Sequence, residues 1–242
     1  MSLYRDEAVV LRTWKLGEAD RIVSLHTRDH GKLRGVAKGV RRTRSKFGAR
    51  LEPTSHVSVQ LYEGKSELHT ITQVETIHRF TSLRSDPDRF AQAESMLEAV
   101  DQITQDRAPD ADMHTMLWRA LATLDGDDSP LVAAAFFLKL LAHEGVQPQL
   151  HACIECGRTD DLISIDVLGG GVRCRRCRRD RPLSAEALRV MRLIYEGDLS
   201  TALREPPSAL ADEVELMATT LLESHLERRL RSTIVINQSG FR

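Results

Sequence analysis

The sequence predicts an α+β protein of several domains: an antiparallel β-barrel, then an α-helical bundle interrupted by a cysteine-bearing insertion. Three observations predict this order. Short runs rich in Val, Ile, Leu and Thr fill the first 80 residues, apolar residues at helical spacing follow, and four cysteines form two close pairs. The 242 residues, 41% of them hydrophobic, suffice for two or three small domains and argue against global disorder.

Five runs with strand character make up the predicted barrel, and turn signals such as Asp29-His30-Gly31 separate them. The runs are Glu7–Trp14, Arg21–Thr27, Lys32–Ala37, His56–Tyr62 and Leu68–Glu75. Five strands at such close spacing favour a barrel of the oligonucleotide-binding (OB) type, although strand count alone does not separate it from an SH3-like barrel. We therefore predict an OB-fold nucleic-acid-binding domain over residues 1–79.

Helical periodicity begins at about Phe80, and residues 80–150 with 182–242 form the predicted α-helical domain. Ser129-Pro130 predicts an N-cap and a first helical residue for a helix over Leu131–His143, which is apolar all round and should be buried. Ser184 and Ser208 are the predicted N-caps of two later helices.

Two Cys-x2-Cys pairs, separated by 17 residues, predict one structural Zn²⁺ in a zinc-ribbon-like insertion over residues 151–181. The four cysteines are Cys153, Cys156, Cys174 and Cys177. Two pairs of thiolates complete a tetrahedron, and four thiolates leave no position open for catalysis. His151 in place of Cys153 stays open as an alternative ligand. No secretory signal is visible at the N-terminus, so we expect a cytosolic protein in which metal explains these cysteines better than disulfides do.

The densest charge run in the chain lies in residues 31–50, which hold eight cations and no Asp or Glu. These cations are Lys32, Arg34, Lys38, Arg41, Arg42, Arg44, Lys46 and Arg50. The whole chain has a net charge of −1, so the prediction depends on this local concentration and not on overall charge. A basic groove beside an OB-type barrel attracts phosphates without reading sequence, which predicts nucleic-acid binding; a solvated loop without a ligand is the alternative.

A second basic cluster surrounds the second cysteine pair. Its candidate DNA-binding residues are Arg175, Arg176, Arg178 and Arg179. These cations could extend a DNA surface, or they could offset the negative charge of four thiolates around zinc. Both interpretations stay open.

Aromatic residues are few, at 5%, and catalytic motifs are absent from the sequence. The only candidate stacking residues near the barrel are Tyr4, Trp14, Phe47 and Tyr62, so affinity for DNA should be mostly electrostatic. We expect a cytoplasmic protein that is not an enzyme, since there is no complete P-loop, no zinc-protease motif and no membrane span. A nuclease would need paired acidic metal ligands, and none is identifiable.

Two parts of the sequence together resemble a known family. The longer part, near the N-terminus, consists of Ala8-Val9-Val10-Leu11, Gly17-Glu18-Ala19-Asp20-Arg21, Thr27, Gly31-Lys32-Leu33, Val36-Ala37-Lys38-Gly39-Val40-Arg41-Arg42 and Leu51-Glu52-Pro53. The shorter part, near the C-terminus, consists of His225, Glu227-Arg228 and Leu230-Arg231-Ser232. With these residues the sequence resembles the bacterial recombination mediator family RecO. The order of barrel, bundle and inserted cysteine pairs extends the resemblance over nearly the whole chain.

The resemblance implies recombinational DNA repair in the RecF pathway. It implies binding of single- and double-stranded DNA and annealing of complementary strands, including strands coated by single-strand-binding protein. It also implies that the protein, with RecR as its partner, helps to load the RecA recombinase. Arg119 and Lys139 are candidates for contact with single-strand-binding protein. A nucleoid-associated location follows from the same resemblance. The alternative is a zinc-ribbon adaptor that recognises protein and not DNA.

Overall fold

The computed structural model describes residues 2–179 and 181–231. These residues form two compact units: residues 2–126 with Arg231, and residues 127–179 with 181–230. Ser232, the last residue of the C-terminal resemblance, lies outside the described residues. The three-part division predicted at residues 79, 150 and 181 stays a prediction.

The first unit contains the predicted five-stranded barrel. Its strands are β1 (Ser2–Leu16), β2 (Asp20–Thr27), β3 (Gly31–Ala37), β4 (His56–Glu63) and β5 (His69–His78). The barrel closes in the order β1-β2-β3-β5-β4, with four antiparallel pairs and one parallel pair, β3 with β5. The predicted α+β class with an OB-type barrel is confirmed, and each predicted strand is present. β1 is seven residues longer than predicted, and β5 begins at His69, one residue after the predicted Leu68.

The barrel closes through a short seam between β3 and β5. Only two residue pairs join these strands, Gly35 with His69 and Val36 with Thr70, whereas β2 and β3 pair over seven residues. A Cβ on Gly35 would lie 2.8 Å from Cγ1 of Ile71, so a larger residue would push the two strands apart.

Alternation of apolar and polar residues explains the interior of the barrel. Along β4, Val57, Val59 and Leu61 are fully buried, whereas Ser58 and Gln60 are only partly buried. On β1 and β2, alternate residues such as Ala8, Val10, Val23 and Leu25 belong to the same apolar core, but residues between them are buried as well.

Three helices complete the first unit: α1 (Thr81–Ser85), α2 (Pro87–Ile103) and α3 (Ala111–Gly126). The carboxylate of Asp86 caps α2 by accepting from the N–H groups of Asp88 and Arg89. Helices α2 and α3 pack against each other and against β1. The short helix α1 was not predicted, since five residues are too few to show a helical period.

The second unit contains four helices and a small sheet. The helices are α4 (Val132–His143), α5 (Ala185–Glu196), α6 (Leu199–Ala202) and α7 (Ala209–His225), and the strands are β6 (Leu162–Asp166), β7 (Gly171–Cys174) and β8 (Arg181–Pro182). As predicted, α4 is buried along most of its length, and it packs against α5 and α7.

Two of the three predicted helix caps are confirmed. The hydroxyl of Ser184 accepts from the N–H of Ala187, and that of Ser208 accepts from the N–H of Ala211. The prediction for α4 was wrong by two residues: Pro130 and Leu131 form a turn before the helix begins, and Ser129 Oγ accepts from the N–H of Leu131.

None of the helices in the described part of the chain combines the length and the apolar character needed to cross a membrane.

Candidate metal centre and nucleic-acid interface

The four predicted cysteines come together in the second unit. All four Sγ atoms lie within 4.8 Å of one another, so this cluster could hold a metal ion. Cys153 and Cys174 are buried, Cys156 is exposed and Cys177 is half-buried. We call residues 151–181 the cysteine module.

Local hydrogen bonds build each pair of cysteines into a tight turn. The N–H of Gly157 donates to the carbonyl of Cys153, and the N–H of Cys177 donates to that of Cys174. Gly157 has a φ of +75°, a backbone conformation that favours glycine. At Gly171 a Cβ would lie 2.5 Å from Cγ2 of Ile154, so glycine lets β7 approach the first turn closely.

The sulfur geometry fits a tetrahedral site. The Sγ atoms of Cys156 and Cys174 lie 3.7 Å apart. Zinc–sulfur bonds of about 2.3 Å place neighbouring sulfurs of a tetrahedron about 3.8 Å apart. His151 does not belong to the cluster, and its Nε2 lies 3.5 Å from Oε1 of Glu196.

The thiols of the cluster differ in acidity. Burial raises the pKa of the Cys153 thiol, but hydrogen bonds from the backbone N–H groups of Cys174, Cys156 and Glu155 outweigh burial and bring it to about 6. Hydrogen bonding to Cys156 and burial raise the pKa of Cys177 to about 12. The thiolate of Cys153 is therefore favoured by hydrogen bonds within the cluster, and a bound cation would favour the other thiolates.

Arg173 forms two ion pairs within the cysteine module. Its guanidinium lies 2.8 Å from Oε2 of Glu155 and 2.7 Å from Oδ2 of Asp166, and only 12% of its side chain is exposed. Hydrogen bonds from the N–H of Gly169 and from Arg173 hold the pKa of Asp166 below its usual value. This arginine therefore serves the fold of the module.

The predicted DNA-binding tract divides into a strand portion and a loop. We call residues 38–50, between β3 and β4, the basic loop. Phe47, in the turn before a short 3-10 helix (Gly48–Leu51), and Leu51 at its end are both about 99% buried in the barrel core. Two apolar anchors therefore hold the loop, and its polar residues are left on the surface.

Five cations of the basic loop are exposed: Lys38, Arg41, Arg42, Arg44 and Lys46. No carboxylate of the described residues forms an ion pair with any of them. Arg41 donates to the carbonyl of Gly17 and Lys46 donates to that of Thr72, contacts that orient each side chain without neutralising it. Arg50 is half-buried and donates to the carbonyls of Lys46 and Phe47.

Unlike the loop cations, the two cations of β3, Lys32 and Arg34, both lie beside the carboxylate of Asp106. Lys32 donates to the carbonyl of Asp101 and lies 3.6 Å from Asp106 Oδ1. Arg34 lies 2.9 Å from Oδ2 of the same Asp106. These two cations line an open cavity of about 570 Å³ with Glu63, and their charge is partly offset there.

The arginines near the second cysteine pair also divide. Arg175 forms an ion pair with Asp161, 3.0 Å between Nε and Oδ2. Arg176, Arg178 and Arg179 are exposed. We call these four residues the arginine run.

The candidate stacking residues are only partly available. Phe47 is buried and cannot stack on a base. Tyr4 is half-buried, and its hydroxyl lies 3.1 Å from Nδ1 of His69. Trp14 and Tyr62 remain, with 36% and 38% of their surfaces exposed. The expectation that affinity is mostly electrostatic remains a prediction.

One cluster was missed by the sequence analysis. The ligand atoms of Glu7, His56 and His114 lie within 4.8 Å of one another in the first unit. These residues are far apart in sequence and follow no known spacing, so only the fold could bring them together.

The chain matches one family along its length. Residues 1–80 match the family described as "Recombination protein O N terminal", and residues 84–234 match "Recombination protein O C terminal". The curated DNA repair protein RecO of Thermobifida fusca (strain YX) is 41% identical over 247 residues, covering 99% of this chain and all of that protein. On these two family matches and this relative, the chain belongs to the RecO family.

Proposed function

We propose that this protein is a recombination mediator in DNA repair that binds DNA through its basic loop. The observation that carries the proposal is the set of five exposed cations, without paired carboxylates among the described residues, beside an OB-type barrel. Such a surface neutralises phosphates and binds any sequence. The name of the relative, DNA repair protein RecO, supports the same role.

The proposed contact set contains all twelve predicted cations, with unequal weight. The exposed loop cations Lys38, Arg41, Arg42, Arg44 and Lys46 should dominate, since their charge is not offset. Lys32, Arg34 and Arg175 should contribute less, because each lies beside a carboxylate. Arg50 should contribute less because it is half-buried. Arg176, Arg178 and Arg179 are exposed and complete the set.

We propose that annealing follows from charge neutralisation. Two complementary strands repel each other as polyanions, and cations that offset their phosphates lower that repulsion. Single- and double-stranded DNA would both bind, because backbone contacts read no base. On the basis of the family, we also propose partnership with RecR, single-strand-binding protein and RecA. We propose likewise that the protein has no enzymatic activity and a cytoplasmic, nucleoid-associated location. The domains over 1–79, 80–150 with 182–242, and 151–181 are proposed likewise.

We propose Zn²⁺ as the metal of the four cysteines. The sulfur spacing suits a zinc–thiolate tetrahedron, and thiolate ligands favour zinc over hard cations. The metal would supply folding free energy to the cysteine module and no chemistry. Metal analysis of the purified chain should find zinc that is lost on Cys174→Ala.

The test of DNA binding compares two triple variants that lose the same charge. Arg41→Ala/Arg42→Ala/Arg44→Ala removes loop cations, and the control Arg189→Ala/Arg204→Ala/Arg229→Ala removes exposed cations elsewhere. Each phosphate contact contributes a log–log salt slope of about −0.7 for single strands, so the loop variant should bind up to about 100-fold more weakly near 0.1 M salt. Its slope should become shallower by about 2, measured by anisotropy of a labelled oligonucleotide.

If the loop variant binds like the control, the proposed interface is wrong. If neither the wild type nor the variants bind DNA, the zinc-ribbon adaptor becomes the better interpretation. Annealing of complementary strands coated with single-strand-binding protein should fail in the loop variant and persist in the control.

A further inference from the structure

Three side chains from three separate elements meet where helix α3 packs on the barrel of the first unit. Glu7 comes from β1, His56 is the first residue of β4, and His114 lies in the first turns of α3. The two histidine side chains are 1% exposed, and the Glu7 side chain is 31% exposed. The cluster is therefore enclosed on the histidine side and partly exposed on the side of Glu7.

One carboxylate oxygen faces both imidazole rings. Oε1 of Glu7 lies 2.7 Å from Nε2 of His56 and 3.4 Å from Nε2 of His114. Zinc bonds of about 2.0–2.1 Å to nitrogen and oxygen put neighbouring ligand atoms of a tetrahedron about 3.3 Å apart. The two observed distances lie on either side of that value, so a small rotation of Glu7 would equalise them.

The hydrogen bonding of His114 favours a positive charge beside its Nε2, either a metal ion or a second proton. Its Nδ1 lies 3.2 Å from the carbonyl oxygen of His26, which can only accept, so Nδ1 carries a proton. A neutral imidazole then has a lone pair on Nε2, and that lone pair faces the carboxylate of Glu7. Two acceptors face each other unless a positive charge lies between them.

The contact from His114 to a backbone carbonyl is also the arrangement of a metal-binding histidine. Such a histidine usually donates its second ring N–H to a carbonyl or a carboxylate, which fixes the ring and the tautomer. On the other side, the rings of His78 and Trp118 stack on His56, with centroids 5.2 and 5.5 Å from its own. Both histidine rings are therefore held in place before any ion binds.

We propose that Glu7, His56 and His114 bind a divalent transition-metal ion, such as Zn²⁺, that fastens helix α3 to the barrel. The ion takes Nε2 of each histidine and a carboxylate oxygen of Glu7, and it replaces the unfavourable contact between acceptors. Three protein ligands leave a fourth position open toward the exposed side of Glu7. This second site is separate from the four cysteines and does not depend on the proposed DNA binding.

The experiment uses the full chain and Trp118 as a reporter. The protein has two tryptophans, so the Trp14→Phe variant leaves Trp118 as the only indole, 5.5 Å from the ring of His56. Titration with Co²⁺ as a stand-in for Zn²⁺ should quench its fluorescence. Adding Glu7→Gln or His114→Gln should abolish that quenching, whereas His225→Gln, which changes an exposed histidine, should leave it unchanged.

Metal content provides a second measurement. After loading with Zn²⁺ and removal of loosely bound metal, Glu7→Gln should hold one equivalent fewer than the wild type, whatever the cysteines hold. Glu7→Gln keeps the size of a partly exposed side chain, so it remains informative if His114→Gln fails to fold.

The proposal is overturned if Co²⁺ leaves the fluorescence of Trp118 unchanged, or if quenching persists in Glu7→Gln. It is also overturned if wild type and Glu7→Gln hold equal amounts of zinc. In either case the positive charge beside His114 is a second proton, and the cluster is a buried ion pair.

Discussion

The basic loop and the arginine run are both dense in cations, but the structure holds them differently. Five loop cations are exposed and, among the described residues, form no ion pair. Of the arginine run, Arg175 forms an ion pair with Asp161, whereas the other three arginines are exposed. The neighbouring Arg173, outside the run, pairs with Glu155 and Asp166 of the same module. The number of cations in a segment therefore says little about available charge; the acids that the fold brings near decide it.

The largest expected effect concerns the cysteine module alone. Cys174→Ala should release the metal, and metal binding at such sites is worth on the order of 10 kcal/mol of folding free energy. Metal analysis and limited proteolysis should show metal loss and cleavage within residues 151–181. Since the basic loop belongs to the other compact unit, affinity for single-stranded DNA should fall far less than in the loop triple variant.

A smaller loss of stability should follow from removal of the internal arginine. Arg173→Met keeps the aliphatic stem and leaves Glu155 and Asp166 without their partner, which should cost about 2 kcal/mol of unfolding free energy. The control is Arg175→Met, whose exposed ion pair with Asp161 should be worth less than about 1 kcal/mol. Equal losses in denaturant titrations would mean that burial of Arg173 does not matter.

The arginine run should contribute modestly to DNA binding. Arg176→Ala/Arg178→Ala/Arg179→Ala should weaken binding by no more than about tenfold, against up to about 100-fold for the loop triple variant. The same anisotropy titrations measure both. A loss as large as that of the loop variant would show that the arginine run and the basic loop bind DNA equally.

The smallest expected effect is a gain in affinity for DNA. Asp106→Asn removes the carboxylate that pairs with Lys32 and Arg34, so DNA binding should become about threefold tighter with a steeper salt slope. The matched change Asp161→Asn frees Arg175 and should have less effect. Unchanged affinity in Asp106→Asn would place the two strand cations outside the interface.

The elements that sequence predicts well are those with local signals. Alternation along Val57–Leu61 and the caps at Ser184 and Ser208 depend on neighbouring residues, and the structure confirms them. The cysteine spacing likewise predicted that the four cysteines come together, and the structure confirms it.

What the sequence could not predict depends on distant residues. Asp106 pairs with Arg34 from 72 positions away, so the charge of β3 looked more available than it is. Glu7, His56 and His114 share no local pattern, and the start of α4 moved because Pro130 and Leu131 turn before the helix begins. For Asp106 and for the Glu7 cluster a tertiary contact decides, and periodicity carries no information about it, whereas the turn before α4 is local.

The short seam between β3 and β5 has a consequence for motion. With two residue pairs holding it, this edge should open before the longer edges of the barrel, so its amide protons should exchange fastest among those of the barrel strands. The basic loop leaves the barrel directly after β3. DNA bound to the basic loop would restrain the end of β3. Bound DNA should therefore slow the opening of the β3–β5 edge and the exchange of its amide protons.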